Sequence, residues 1–472
     1  MTINELWRMS VSALSEGIRK KQFSSTEVIK AHLSRMDQIN PSVNAITVKL
    51  EERALAMARL ADEEVLKNKH LGALHGVPFT IKENVDLAGT ATTSGMVAGK
   101  EFFSPVDAPH IAQLLNAGAI PVGRTNLSEM SLRPHTDNEL HGPTLNPWNR
   151  KLTPGGSSGG DSVAVATGMT PLGMGNDYGG SLRVPAQFCG VTSIKPGSGR
   201  VPHHSALIPA DPMLTLQLFF SNGPIARSVS DLRIALNAIC NNDVRDPGWL
   251  PGIQSVKRNE PLRIAVVTDP GEADTDPVIR SAVQKAASYL SDAGYIIEEV
   301  EPPSITRGLE LFIQLIASEM RTMFIPFVGS FMSPKLSKFL QYFCNMSSDD
   351  SLASYMTAFS LRTGIAREWN LFFQKYPVIL GPCYAGSVPV ADFDIISEES
   401  FLSFIKKSNL VMMANFLGLP AISLPVGLRN GLPVSVQLIS GRFCEDICLD
   451  VADVIERYYG RITPVDPVVV KE

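Results

Sequence analysis

The sequence predicts a layered α/β fold. Short β-prone runs alternate with amphipathic helical runs through the first half, the arrangement in which strands form a sheet and helices cover it. A strand–helix–strand passage recurs at residues 263–300. The 472 residues are 44% hydrophobic and 19% charged, enough apolar material for a large core and too little charge for a disordered chain.

Residues 2–67 read as helical. Ser24-Ser25-Thr26-Glu27 supplies a start signal, with Val28, Ile29, His32, Leu33 and Met36 on one face, and residues 49–69 give a second helix. Residues 75–82 are β-prone, and Lys82 stands where a strand named by Val77, Phe79 and Ile81 leaves the sheet. A helix over 107–119, ended by Gly118, leads to a strand at 120–123. The irregular stretch 125–149 carries His135, Asp137, Asn138, His141 and Trp148; its length points to function and its apolar content argues against disorder.

The stretch 152–190 holds two glycine–serine clusters, Gly155-Gly156-Ser157-Ser158-Gly159-Gly160 and Gly179-Gly180-Ser181. Each precedes a helix-compatible run, so the pattern is loop, helix, strand, loop, helix. Glycines ahead of a helix allow close backbone approach and leave N–H groups free for negative charge, and serines there are candidate nucleophiles. A strand follows at 192–196 and a helix at 228–241, and the turn-rich residues 242–260 mark a break. Beyond it come strand 263–267, helix 276–293, strand 295–300, a mostly helical region 309–373, strand 378–382, helix 401–416, strands 421–426 and 434–439, and a closing helix 445–458. The expected organisation is one domain over 1–472, with an N-terminal helical segment 1–69, a catalytic core 70–240 and a helix-rich substrate-side insert near 305–375.

Net charge is −5 with no long basic run, which gives a nucleic-acid partner no electrostatic support. Six scattered cysteines do not make a disulfide framework, and a reducing, cytoplasmic setting is expected. Cys444 and Cys448 stand at helical spacing and read as packing residues. The N-terminus lacks a signal-peptide pattern, and the most apolar later stretch, 409–428, is broken by Asn415, Pro420 and Pro425, so no membrane span is expected.

Several chemistries compete for the glycine–serine clusters. Gly156-Ser157-Ser158-Gly159-Gly160 fits a nucleophile elbow with Ser158 at its centre, but only His203 and His204 follow, which disfavours a triad of that chain order. No Gly-Lys-Ser/Thr follows for a phosphate loop, the dinucleotide spacing fails, and no HExxH or paired Cys/His spacing supports a metal. A serine without histidine needs another base, and lysine is the usual substitute if burial keeps it neutral. Lys82 is a candidate for that base.

The motifs Gly76-Val77-Pro78-Phe79-Thr80-Ile81-Lys82-Glu83-Asn84, Gly123-Arg124-Thr125-Asn126, Asn146-Pro147-Trp148 and Pro154 through Gly160 resemble the amidase signature family of C–N hydrolases. So do Asp177 through Pro185, Phe188-Cys189-Gly190, Gly418 through Pro425 and Gly431 through Leu438, and the resemblance covers essentially the whole chain. It implies the amidase signature fold, a large mixed β-sheet sandwiched between helices. It also implies a catalytic set of Lys82, Ser157 in a cis peptide and the nucleophile Ser181, with an oxyanion hole from the backbone of Tyr178, Gly179 and Gly180. Neither cofactor nor metal is implied.

Ser158 is expected to be a structural hydrogen-bonder, Asp177 and Arg183 a buried ion pair shaping the nucleophile loop, and Cys189 a core residue. His135 and His141 read as loop hydrogen-bonders or pocket walls, and Ser131, Arg133 and His135 are substrate-pocket candidates. Asn176, Tyr178, Asp161 and the stretch 131–138 depart from common family versions. Phe324, Phe327, Phe331, Met332, Leu340 and Phe343 of the insert are candidates for an apolar wall or for core packing. The expected activity is hydrolysis of small carboxamides through an acyl-enzyme, with a small-molecule amide as partner and a homodimer left open. The alternatives are the amidase component of a glutamine-dependent amidotransferase, or a non-catalytic binding protein.

Overall fold

Alternation along the strands sorts side chains between two faces of one sheet. Val378 and Leu380 join one apolar cluster while Ile379 between them joins another, and Ala265 separates Ile264 from Val266 in the same way. The computed structural model describes residues 3–67, 71–206, 212–252 and 261–468. Among them eleven strands form the sheet: β1 (Ile46–Lys49), β2 (Pro78–Lys82), β3 (Ile120–Thr125), β4 (Leu172–Asp177), β5 (Thr192–Lys195), β6 (Ser221–Ala226), β7 (Arg263–Val266), β8 (Ile296–Glu299), β9 (Val378–Gly381), β10 (Ala421–Arg429) and β11 (Leu432–Ser440). Their spatial order is β1-β3-β2-β4-β6-β5-β10-β11-β9-β7-β8.

The sheet is mixed. β3, β2 and β4 run parallel, as do β9, β7 and β8, and antiparallel strands join the two groups. Helices Val11–Arg19, Pro109–Asn116, Val229–Ile239, Pro277–Asp292 and Glu445–Tyr459 pack on one face. Ser25–Val43, Glu51–Leu66 and Gly159–Ala166 cover part of the other, and Arg183–Cys189, Ile305–Glu319, Pro334–Asn345, Leu352–Lys375, Glu398–Lys407 and Asn409–Phe416 cover the rest. This is the three-layer α/β/α arrangement expected from the sequence.

The expected start at Ser24 is a full capping box: Ser24 Oγ accepts from the Glu27 N–H and Glu27 Oε2 accepts from the Ser24 N–H. Residues 263–300 form the parallel strand–helix–strand unit β7, Pro277–Asp292, β8. The sheet continues across the expected break at 242–260, of which residues 253–260 lie outside the described residues.

Two strands differ from the sequence reading. β1 occupies part of what reads as helix. β6, Ser-Asn-Gly-Pro-Ile-Ala, carries a glycine and a proline, which argue against a central strand. It is tolerated because β5 pairs with β6 only at Ala226 and Ile225, so Pro224 lies beyond the end of that ladder. Gly223 is needed there, since a Cβ would overlap the Ile194 carbonyl oxygen. The helical passage Ile305–Phe331, rather than 409–428, is long and apolar enough to cross a membrane by length and composition, and half of its most apolar window is buried.

β2 aims the site. Phe79 and Ile81 point into one apolar layer, so Lys82, in step with Thr80, points to the opposite face, where Gly159–Ala166 packs. Lys82, Thr125 and Asp177 end three neighbouring parallel strands, the side of such a sheet where ligands bind.

Gly223→Ala is expected to lower stability by about 1–3 kcal/mol, because backbone rather than a movable side chain blocks the added methyl. The urea midpoint at unchanged slope reads this out.

Candidate active site

Lys82 leaves β2 with its amine shut off from solvent: the residue is fully buried. Its Nζ is 2.7 Å from Ser157 Oγ and 2.8 Å from Asn176 Oδ1. As an ammonium it donates to both; as the neutral amine it accepts from the Ser157 O–H across the same distance. Asn176 is held in turn by donating to Asn84 Oδ1 at 2.9 Å. Burial pulls the Lys82 pKa well below the ordinary 10.5, against the opposing pull of the Asp161 and Asp177 carboxylates. Burial likewise raises the Asp161 carboxyl, which accepts from Thr125 Oγ1 at 2.7 Å. Both shifts favour uncharged groups around Lys82.

Ser157 follows a cis peptide bond from Gly156. Gly156 is pressed against backbone, since a Cβ there would lie 2.6 Å from the Arg133 carbonyl oxygen. Ser158 joins the two serine loops: its N–H donates to the Ser181 carbonyl at 3.2 Å and its Oγ to the Asn176 carbonyl at 3.4 Å. That is the structural role expected of it.

The loop bearing Ser181 is wound around Asp177. Asp177 Oδ1 accepts from the Gly180 N–H at 2.8 Å and Oδ2 from the Leu182 N–H at 3.1 Å. Arg183 donates to both oxygens at 3.0 Å, and Asn415 Nδ2 donates to Oδ1 at 2.9 Å. Burial alone would raise the Asp177 carboxyl, yet the Arg183 guanidinium and these donors hold it well below the carboxylate range. The expected Asp177–Arg183 ion pair is therefore present, with both side chains at 0% exposure.

The backbone N–H groups of this loop are not equally available. The Gly180 N–H is already engaged by Asp177, whereas those of Tyr178, Gly179 and Ser181 make no hydrogen bond among the described residues. The free donors are those three.

Ser181 stands where two cavities meet. The first, about 80 Å³, is lined by Phe312, Ile316, Phe339, Phe343, Phe404 and Met412. The second, about 260 Å³, runs past Ser157 and Asn176 towards His110, His203 and Asn222. Tyr178, Ser131 and Leu132 border both. Tyr178 is fixed by a 2.5 Å hydrogen bond to Thr215 Oγ1.

The pocket candidates divide. Ser131 lines both cavities. Arg133 contributes to the wall of the first, but its guanidinium is occupied, donating to Asp394 at 2.9 Å and Asp392 at 2.7 Å. His135 does not line either cavity; its Nδ1 is 2.8 Å from Thr153 Oγ1. His141 reaches Glu83 instead, at 2.9 Å. His135, Asp137 and Asp392 bring ligand atoms within 4.8 Å of one another, but Lys335 bonds both carboxylates and balances the charge. Leu340 and Phe343 of the insert face the first cavity and Phe324 the second, whereas Phe327 and Phe331 are 74% and 60% exposed. Missed in the sequence were Phe312, Ile316, Phe404 and Met412, whose helical spacing is that of ordinary core residues, and the anchoring role of Asn176.

Comparison with known proteins agrees with this geometry. The family described as Amidase matches residues 27–449. An indoleacetamide hydrolase of Bradyrhizobium diazoefficiens is 39% identical over 96% of this chain and 87% of its own length. One subunit of the glutamyl-tRNA(Gln) amidotransferase of Carboxydothermus hydrogenoformans is 30% identical, over 96% and 98%. A bacterial aryl acylamidase of the amidase signature family superposes with a TM-score of 0.81 at 25% identity, covering 95% of this chain and 96% of that one.

Asp177→Asn is expected to cost about 3–5 kcal/mol, because it strands the buried Arg183 guanidinium. Denaturant unfolding measures it, with Asp392→Asn, a partner that is 34% exposed, as the milder control.

Proposed function

We propose that this chain, which belongs to the amidase family and hydrolyses amide C–N bonds, does so through a Lys82–Ser157–Ser181 relay acting on carboxamides with an apolar, aryl-bearing acyl group. The observation that carries the reading is the 2.7 Å contact between the buried Lys82 amine and Ser157 Oγ. Neutral Lys82 draws the proton of Ser157, Ser157 draws that of Ser181, and Ser181 Oγ attacks the amide carbonyl. The N–H groups of Tyr178, Gly179 and Ser181 receive the developing oxyanion. The relay then returns a proton through Ser157 to the leaving nitrogen. Water repeats the sequence on the acyl ester and frees the carboxylate.

The acyl group is assigned to the first cavity. Its wall is aromatic and aliphatic, and its one charged lining residue among those described, Arg133, is neutralised by Asp394. A flat, apolar acyl part suits such a wall, and the 39% identical relative is an indoleacetamide hydrolase. The glutamine-dependent alternative needs a charged anchor for an amino-acid head group, and the cavity offers no free one among the described residues. Cys189, Cys240, Cys344, Cys383 and Cys448 are free thiols, which supports a reducing, cytoplasmic setting.

A panel of aryl, aliphatic and glutamine carboxamides tests the reading. Ammonia release is expected to be fastest from aryl-acetamides and to fall roughly 10⁴-fold or more in Ser181→Ala, with loss of fluorophosphonate labelling. Glutamine turnover that exceeds aryl turnover overturns the substrate assignment, and persistent labelling in Ser181→Ala overturns the nucleophile.

The pH profile is a second test. The working base is the neutral amine, so kcat/KM is lost as pH falls through the Lys82 pKa, and burial places that limb well below 10.5. Asp161→Asn removes a carboxylate that favours the ammonium, so the limb moves to lower pH.

A further inference from the structure

The backbone N–H groups proposed to receive the oxyanion belong to Tyr178, Gly179 and Ser181, and the first two lie where the nucleophile loop is held least. Asp177 clamps that loop at Gly180 and Leu182 but not at Tyr178 or Gly179. Both residues are half-buried, and a Cβ built on Gly179 would meet only the tip of the Phe312 ring, at 3.8 Å. Packing at Gly179 therefore leaves the peptide room to move. A donor that serves an oxyanion has to point at it beforehand, and a misplacement of about 1 Å can cost roughly 100-fold in rate.

The tether at this point is the Tyr178 side chain. Thr215 is fully buried, and its hydroxyl stands between the Tyr178 hydroxyl and Glu319 Oε2. A threonine hydroxyl has one proton to give, and a carboxylate only accepts. Thr215 Oγ1 therefore donates to Glu319 and accepts from the Tyr178 O–H, which fixes the direction of the chain. Glu319 Oε1 also accepts from the Thr215 N–H, at 3.1 Å, and from the Tyr355 O–H. Glu319 is 3% exposed, and among the described residues its partners are these neutral donors rather than a cation. A buried carboxylate without a cation costs folding free energy that an apolar side chain would not, so its presence calls for a reason other than packing.

The position of Glu319 supplies one. It ends the helix Ile305–Glu319, where Phe312, Ile316 and Glu319 stand at i, i+4 and i+7 on one face. Phe312 and Ile316 line the first cavity, and Glu319 reaches Tyr178 through Thr215. The chain turns π-helical immediately after Glu319, over Met320–Phe324, and Met320 borders both cavities. Such π turns recur at functional sites.

We infer that Glu319 and Thr215 are positioning residues for catalysis: acting through the Tyr178 phenol, they hold the Tyr178 and Gly179 N–H groups where the oxyanion forms. Neither lines either cavity, so both act through Tyr178 and not on the substrate.

This inference rests on the Lys82–Ser157–Ser181 reading, and one set of variants separates the two. Thr215→Val keeps the shape and removes the hydroxyl, Thr215→Ser keeps the hydroxyl, and Tyr178→Phe keeps the ring. Each is assayed for kcat and KM on phenylacetamide, for the rate of Ser181 labelling by a fluorophosphonate, whose oxygen needs the same N–H donors, and for its urea midpoint. In Thr215→Val and Tyr178→Phe, kcat per folded enzyme is expected to fall roughly tenfold or more with KM changed less than about twofold, and the labelling rate to fall with it. Thr215→Ser is expected to recover most of the loss. Tyr178→Phe carries the same test where Thr215→Val does not fold. A lower urea midpoint with kcat unchanged in both hydroxyl-free variants makes the chain merely structural and overturns the inference. Equal kcat losses in Thr215→Ser and Thr215→Val overturn the hydrogen-bond chain, and a rise in KM at constant kcat makes Tyr178 a pocket wall and overturns the positioning role. In each of these cases an inert Ser181→Ala leaves the parent reading standing, whereas an active Ser181→Ala overturns both.

Discussion

The structure depends on an amine that is buried without a carboxylate in hydrogen-bond contact. Lys82 Nζ touches Ser157 and Asn176, both neutral. An ammonium stripped of water and given only neutral acceptors is a poor charge holder, so the environment works towards the free base. A carboxylate at hydrogen-bond distance would reverse this by anchoring the charge. The nearby acids are kept from that role in different ways. Asp177 is saturated by Arg183 and backbone donors, and Asp161 is itself pushed towards its neutral form. In the proposed relay, basicity at neutral pH thus comes from what surrounds the lysine at one remove.

Rigidity around that amine is divided between two frames. The Asp177 carboxylate organises the nucleophile loop, and its Arg183 partner reaches on to Gln437 at 2.7 Å and the Val411 carbonyl at 2.9 Å, tying loop, sheet and overlying helix together. The Arg133–Asp394–Asp392–Lys335 group joins residues 131–137 to the helices that wall the acyl cavity. The first frame sets where Ser181 sits, and the second sets the shape of the cavity proposed to take the acyl group. Buried pairs of this kind add little net stability against apolar replacements, so their value here lies in holding loops in one arrangement.

Much of this was legible. Helices and strands with strong periodicity stand within a few residues of their expected places, and the glycine–serine clusters open the helices they were expected to open. What was not legible has physical causes. β6 hides because its glycine and proline answer to tertiary contacts, the Ile194 carbonyl and the end of the β5 ladder. The acyl wall hides because Phe312 and Phe404 look like any core residue until Ser181 is placed beside them. Ile81-Lys82 and Ile194-Lys195 are the clearest case. Both lysines end apolar strands, both are fully buried, and burial lowers both pKa values. Only geometry parts them: Lys195 Nζ donates to the Pro196 carbonyl, and Lys82 reaches a serine. Composition at a strand end identifies a buried lysine but not its partner, and in the sequence the choice of Lys82 rests on family resemblance.

The two cavities give the site a direction. In the proposed reading, a serine nucleophile at the junction of two chambers can distinguish the halves of an amide only if the proton donor lies on one side. In the proposed relay Ser157 supplies that asymmetry, because it lines the second chamber and not the first. Reversing the substrate would carry the leaving nitrogen away from the proton donor of the proposed relay. In the proposed relay the proton geometry therefore selects one orientation, and it follows from Lys82 ending β2 and Asn176 lying next to the end of β4, its parallel neighbour in the sheet.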